Sequence, residues 1–159
     1  MSNSFANEVL DIKNLVIHKE LKKYDSLTFL NAQKDQLNLD DYKGNLILLN
    51  FWATWCLPCK EEMPSLDLLQ ENKNFDNLKI FPVNVGQENF EKISNFFDDL
   101  KIENLKIYFD SPITLAKKLG LRGIPTTILV NKDGLEFARI VGSINFNDKK
   151  FVDWLKKYN

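Results

Sequence analysis

Cysteine and histidine are scarce in this chain, which carries two cysteines, Cys56 and Cys59, and one histidine, His18. A structural zinc site wants four such ligands, and three are the most this sequence can offer. A stabilising cross-link is also a poor use for the pair. Joining residues so close in sequence closes almost no loop and removes little entropy from the unfolded chain. With both structural uses weakened, the C-x-x-C spacing reads as a redox pair. Long apolar runs are missing too. The longest, Leu46–Leu49 and Ile128–Val130, suit buried strands and fall far short of the roughly 20 residues a membrane-spanning helix needs. Neither sign of charge is in excess: 21 Lys and Arg stand against 22 Asp and Glu, so no nucleic-acid partner is expected. The segment Met1 to Phe5 has neither the basic start nor the apolar core of an export signal. That leaves a cytosolic protein or a chain that has lost a leader or anchor.

What is present suits one domain: 159 residues with 44% hydrophobic content are enough to bury a core. Residues 1–24 are polar with scattered apolar positions (Val9, Leu10, Ile12, Leu15, Val16, Ile17, Leu21) and read as an N-terminal arm, helical or extended. The domain proper then covers 25–159. Residues 27–32 and 36–39 suggest a hairpin. Leu46–Trp52 is nearly all apolar, as a central strand covered on both faces should be. Pro58 opens a helical pattern to about Lys73, with Met63, Leu66 and Leu69 at helical spacing. Further on come a strand (Lys79–Val85), a helix marked by Phe90, Ile93, Phe96, Phe97 and Leu100, a strand (Leu105–Phe109) and a short helix (Ile113–Leu119). A hairpin (Thr126–Val130 with Leu135–Val141) and a closing helix (Asp148–Tyr158) end the chain. Such alternation predicts an α/β fold, a central mixed sheet flanked by helices.

Cys56 follows a buried strand, and Pro58 suits a first helical turn because its missing N–H would have been unpaired anyway. Cys56 is therefore expected at a helix N-terminus, where free N–H groups and the helix dipole stabilise a thiolate. Lowering a thiol pKa from about 8.5 to about 7 lifts the thiolate share near neutrality from a few per cent to about half. Cys56 is thus the expected nucleophile. Cys59, one turn inward, is the buried partner that resolves the mixed disulfide. Trp52 reads as core. Trp55 either contacts partners or shields Cys56. His18 has no visible ligand partners and reads as a surface residue.

The run from Asn50 to Pro64 (N-F-W-A-T-W-C-L-P-C-K-E-E-M-P) resembles the active-site segment of the TlpA/ResA-like branch of thioredoxins. Within that branch, Thr54 to Asp67 looks most like TlpA itself. Gly123 to Ile128 (G-I-P-T-T-I) resembles the proline loop of the whole superfamily, and Phe29 to Gly44 the branch's N-terminal hairpin. The resemblance covers roughly Leu27 to Asn159. It implies a thioredoxin-like fold with an N-terminal β-hairpin extension and an inserted helix–strand unit. It also implies that the bond before Pro125 is cis and lies beside the cysteines, leaving the Ile124 backbone free to pair with an extended substrate. An ordinary turn before a strand is the plainer reading of that loop. The pattern W-C-x-P-C-x-x-E-x-P carries a glutamate, here Glu62, that tunes the thiols and shuttles protons; the helix dipole alone also favours an acid there. Asn50 is a departure from housekeeping thioredoxins, which place a buried aspartate at this position to take the inner cysteine's proton. Pro64 is expected to kink its helix.

The resemblance implies a protein thiol:disulfide oxidoreductase whose only redox group is the Cys56–Cys59 disulfide, with no metal and no other cofactor. Substrate contacts fall to Trp55, Leu57, Pro58, Ile124 and Pro125. Leu57 and Pro58 supply no cation to hold the Cys56 thiolate strongly, which places the pair toward the reducing end. The partners expected are a protein disulfide substrate in copper-site or cytochrome c biogenesis and a membrane or periplasmic electron donor. The chain is expected to be a monomer and periplasmic, with the cytoplasm as the alternative. Three other readings compete. A general thioredoxin is disfavoured by Asn50, by the N-terminal extension and by the long span from Cys59 to Pro125. A Sco-like copper carrier needs a histidine beside its cysteines. A peroxiredoxin would show a different cysteine environment.

Overall fold

The computed structural model describes residues 10–159. In chain order its elements are β1 (Leu15–Lys22), β2 (Thr28–Asn31), β3 (Gln36–Asn38), β4 (Leu46–Trp52), α1 (Leu57–Gln70), β5 (Leu78–Asn84) and α2 (Phe90–Asp99). Then follow β6 (Tyr108–Phe109), α3 (Leu115–Lys118), β7 (Thr126–Val130), β8 (Glu136–Val141) and α4 (Lys149–Leu155). All eight described strands join one mixed sheet in the order β1-β8-β7-β4-β5-β6-β2-β3. β4, β5 and β6 run parallel, and the remaining pairs are antiparallel.

The pleat of β4 explains the layering. Leu46, Leu48 and Trp52 face a core shared with Met63, Leu66 and Leu69 of α1, Ile93 and Phe97 of α2, and Phe151 and Leu155 of α4. Ile47, Leu49 and Phe51 face the opposite core, with Leu115 of α3, Leu119, and Leu27, Phe29 and Leu39 from the N-terminal hairpin. Every residue of β4 is buried, as a strand with helices or loops on both faces requires. Asn50 has the parity of Leu48 and Trp52, so its side chain is directed to the α1 face.

One strand is shorter than expected, and part of the N-terminal arm is extended, one of the two forms expected for it. Of the strand expected at Leu105–Phe109, only Tyr108–Phe109 pairs. The backbone N–H groups of Glu103, Asn104 and Leu105 instead donate to the carboxylate of Asp67 on α1, at 3.2, 2.7 and 3.0 Å. Residues 15–22 of the N-terminal arm form the edge strand β1 on β8; residues 1–9 of that arm lie outside the described residues. α1 continues through Pro64 as one helix. No described helix is long and apolar enough to cross a membrane.

Candidate active site

The chain leaves β4 at Trp52 and makes a tight turn, in which the Cys56 N–H donates to the Ala53 carbonyl at 3.2 Å. Cys56 then caps α1 with extended φ/ψ of −92° and 108°, and its Sγ accepts the Cys59 N–H at 3.3 Å. Pro58 stands in the first turn of the helix. These are the features that lower a thiol's pKa: an N–H aimed at sulfur and the positive end of the helix dipole. The two cysteines are joined by a disulfide, with Cα atoms 5.3 Å apart. Cys56 keeps 6% of its surface open and Cys59 none, so the first is the one a partner can reach.

Around this disulfide the expected contact residues divide. Trp55 and Leu57 are exposed at 69% and 64%, an unusual placement for large apolar side chains flanking a cysteine. Trp55 therefore presents most of its surface to solvent. Trp52 is buried and stacks on Phe97 with centroids 5.5 Å apart. Pro58 is exposed, Ile124 half-buried and Pro125 buried. The Ile124–Pro125 bond is cis, as is Ser111–Pro112. Thr126 pairs with Phe51 in register, so Pro125 sits at the end of β4 from which the cysteine turn departs. The Thr126 hydroxyl holds the Gly123 carbonyl at 2.7 Å, and the Pro125 carbonyl accepts from Gly142 N–H at 2.9 Å. Among the described residues no backbone hydrogen bond uses Ile124.

Glu62 lies one turn beyond Cys59 and is buried, only 2% exposed. Its carboxyl accepts from Asn50 Nδ2 at 2.8 Å and from the Ile144 N–H at 3.3 Å. Burial pushes the Glu62 carboxyl up to about 7, and those two hydrogen bonds only partly offset it. Asn50 also donates to the Thr127 hydroxyl at 3.0 Å across the β4–β7 register. Asn50 therefore has a partner and a task, where the sequence marked it only as a departure. A polar residue inside an otherwise apolar central strand was the available signal, since such a group needs a buried partner.

His18 is not a bare surface residue. Its side chain is 11% exposed and its Nε2 meets Oε2 of Glu136, a fully buried carboxylate that also accepts from Arg139 Nε at 2.7 Å and from the Tyr24 hydroxyl at 2.9 Å. This cluster joins β1 to β8, two strands from β4.

The family model described as Redoxin matches residues 11–152. A thiol-disulfide oxidoreductase ResA of Geobacillus kaustophilus is 31% identical over 122 residues, 77% of this chain and 68% of its own. The ResA of Geobacillus thermodenitrificans is 34% identical over 114 residues, 70% of this chain, and the match spans 63% of that relative's length. Among solved structures, a secreted thiol-disulfide isomerase from Corynebacterium glutamicum superposes with a TM-score of 0.75 at 22% identity, covering 92% of this chain and 94% of the other.

Proposed function

The chain belongs to the Redoxin family, among its ResA-like thiol–disulfide oxidoreductases with a thioredoxin-like fold, and from that premise we propose that Cys56 and Cys59 reduce disulfides in specific protein partners. The observation that carries this reading is the Cys56 sulfur at the cap of α1, held by the Cys59 N–H and flanked by exposed apolar side chains. In the reduced protein, the Cys56 thiolate attacks one sulfur of the partner's disulfide. That S–S bond breaks, and the leaving sulfur departs as a thiolate that takes a proton from water. Cys59 then gives its proton to Glu62 or to water and attacks Cys56 Sγ. The mixed disulfide breaks, and the second partner sulfur leaves. The partner gains two electrons and two protons, and a dithiol donor recharges the pair.

Glu62 suits the proton step because a carboxyl titrating near neutrality can both take and return a proton at working pH. Trp55, Leu57 and Pro58 offer an apolar collar, and the free backbone of Ile124 beside cis-Pro125 offers a short strand-like edge for the partner's chain. Protein disulfides that need reduction persist in oxidising compartments, which supports action outside the cytoplasm; a copper-site or cytochrome c biogenesis partner is the substrate class we propose there.

The test is the reduction potential of the Cys56–Cys59 couple, measured against defined thiol/disulfide buffers. With no cation between the cysteines, a value near or below about −230 mV is expected. Cys59→Ser should trap a mixed disulfide with the partner, and Cys56→Ser should form none. A potential near about −120 mV would reverse the direction of transfer.

A further inference from the structure

Outside the cysteines and Glu62, the best-held acid near the site is Glu88, in the loop between β5 and α2. Its side chain is 4% exposed. Oε1 accepts from the Thr54 N–H at 2.8 Å and from Asn84 Nδ2 at 2.9 Å. Oε2 takes the Thr54 hydroxyl and pairs with Lys92 at 3.2 Å. Burial alone would raise this carboxyl, but the bonds from Asn84, Thr54 and Lys92 more than offset it and hold it below the usual carboxylate range. Neither a helix cap nor a strand ladder requires this arrangement. Asn89 caps α2 with its own side chain.

What Glu88 grips is the turn that delivers Cys56. Thr54 and Trp55 are the two central residues of the turn closed by Cys56 N–H to Ala53 O at 3.2 Å. A turn of this kind fixes where its last residue sits. Cys56 must arrive at the cap with its sulfur on the Cys59 N–H, a contact of 3.3 Å. The neighbouring Gly86 belongs to the same device. A Cβ there would lie 2.7 Å from Glu88 Oε1, so the glycine leaves the room in which the carboxylate reaches Thr54.

We propose that Glu88 is a positioning residue for the thiol–disulfide chemistry, fastening the Thr54–Trp55 turn so that Cys56 is presented at the α1 cap. The proposal rests on the reading of Cys56 as the nucleophile. Glu88 acts through geometry, since a fixed negative charge near Cys56 would by itself disfavour the thiolate. The two influences have opposite signs, and that makes them separable.

The experiment titrates the thiolate absorbance of the reduced protein and follows attack on a small aromatic disulfide at pH 7. It compares wild type with Glu88→Gln, Glu88→Ala and Gly86→Ala, with urea unfolding alongside. Glu88→Gln keeps an oxygen for the Thr54 N–H and should stay close to wild type. Glu88→Ala should raise the Cys56 apparent pKa by about one unit and slow attack by about three- to tenfold. Gly86→Ala displaces the carboxylate without removing its charge and should move both readouts the same way; it carries the test if Glu88→Ala does not fold. A lowered thiol pKa in Glu88→Ala would mean that charge dominates and would overturn the proposal. So would unchanged thiol titration and rate in Gly86→Ala or Glu88→Ala, whether or not stability falls. Should wild-type Cys56 show no low-pKa thiolate and no exchange, the underlying reading fails instead, independently of the variants.

Discussion

A carboxyl buried among apolar groups beside a thiol pair is a pH-dependent liability as well as a tool, and Glu62 shows both. Its pKa rises from an ordinary 4.5 in the unfolded chain to about 7 in the fold. Between those values the unfolded chain has lost the proton and the folded one still holds it. Stability from this group is therefore complete below about 4.5 and falls as pH rises, by up to about 1.4 kcal/mol per pH unit, until about 7. Glu62→Gln should escape this penalty. Its urea midpoint relative to wild type should climb from pH 5 to pH 7 and then level off, a gain of a few kcal/mol. On the proposed proton route the same variant should slow resolution of the mixed disulfide, because the group proposed to take the Cys59 proton is gone, while first attack by Cys56 is little changed. Stopped-flow single-turnover kinetics at pH 7 separate the two steps.

Among the elements, the part most legible in the sequence was the strand–turn–helix that carries the cysteines. An all-apolar run, a proline in the first turn and helical spacing after it are local signals, and β4 and α1 form where they point. The hairpins and α2 were legible for the same reason. What local pattern could not give was the late start of the strand expected from Leu105, whose N–H, with those of Glu103 and Asn104, is claimed by Asp67, more than thirty residues earlier in the chain. Glu88 escaped notice similarly, as one loop acid among 22 acidic residues. Its place at the carboxyl end of β5 is where open α/β sheets assemble sites. Removing the Asp67 carboxylate tests the first of these. Asp67→Ala should cost about 2 kcal/mol, the scale for leaving partly buried N–H groups unpaired. Amide exchange at Asn104 and Leu105 should accelerate first. Exchange in β4 should rise no more than that global loss explains.

For the molecule as a whole, the edge strand β1 is tied to β8 by a charge cluster in addition to its ladder and the packing of Ile12 and Leu15 on the core. Burial would raise the Glu136 carboxyl, but hydrogen bonds from Arg139, His18 and Tyr24 outweigh it and hold the pKa below the usual carboxylate value. Its contribution is present above the ordinary carboxylate pKa and is lost as pH falls through the lowered one. Glu136→Ala leaves Arg139, whose side chain is only 15% exposed, without its partner. A loss of about 3 kcal/mol is expected from breaking such a pair, with a flatter acid limb in thermal melts as pH falls below the ordinary carboxylate value of 4.5. The fold class and the Cys56–Cys59 disulfide were thus readable from sequence, whereas this cluster was not. Its members, His18, Tyr24, Glu136 and Arg139, are spread over more than a hundred residues and meet only in the sheet. The edge they secure has a further consequence. β1 pairs regularly with β8 from Leu15 to Ile17, then slips until Lys22 meets Glu136. Along that stretch the chain presents Lys19, Glu20 and Lys22. Val16 and Ile17 before the slip and Leu21 within it are exposed as well, yet an approaching strand finds an irregular border carrying charge instead of a regular template. An irregular, charged edge of this kind is one of the ways a sheet border is made a poor template for another chain.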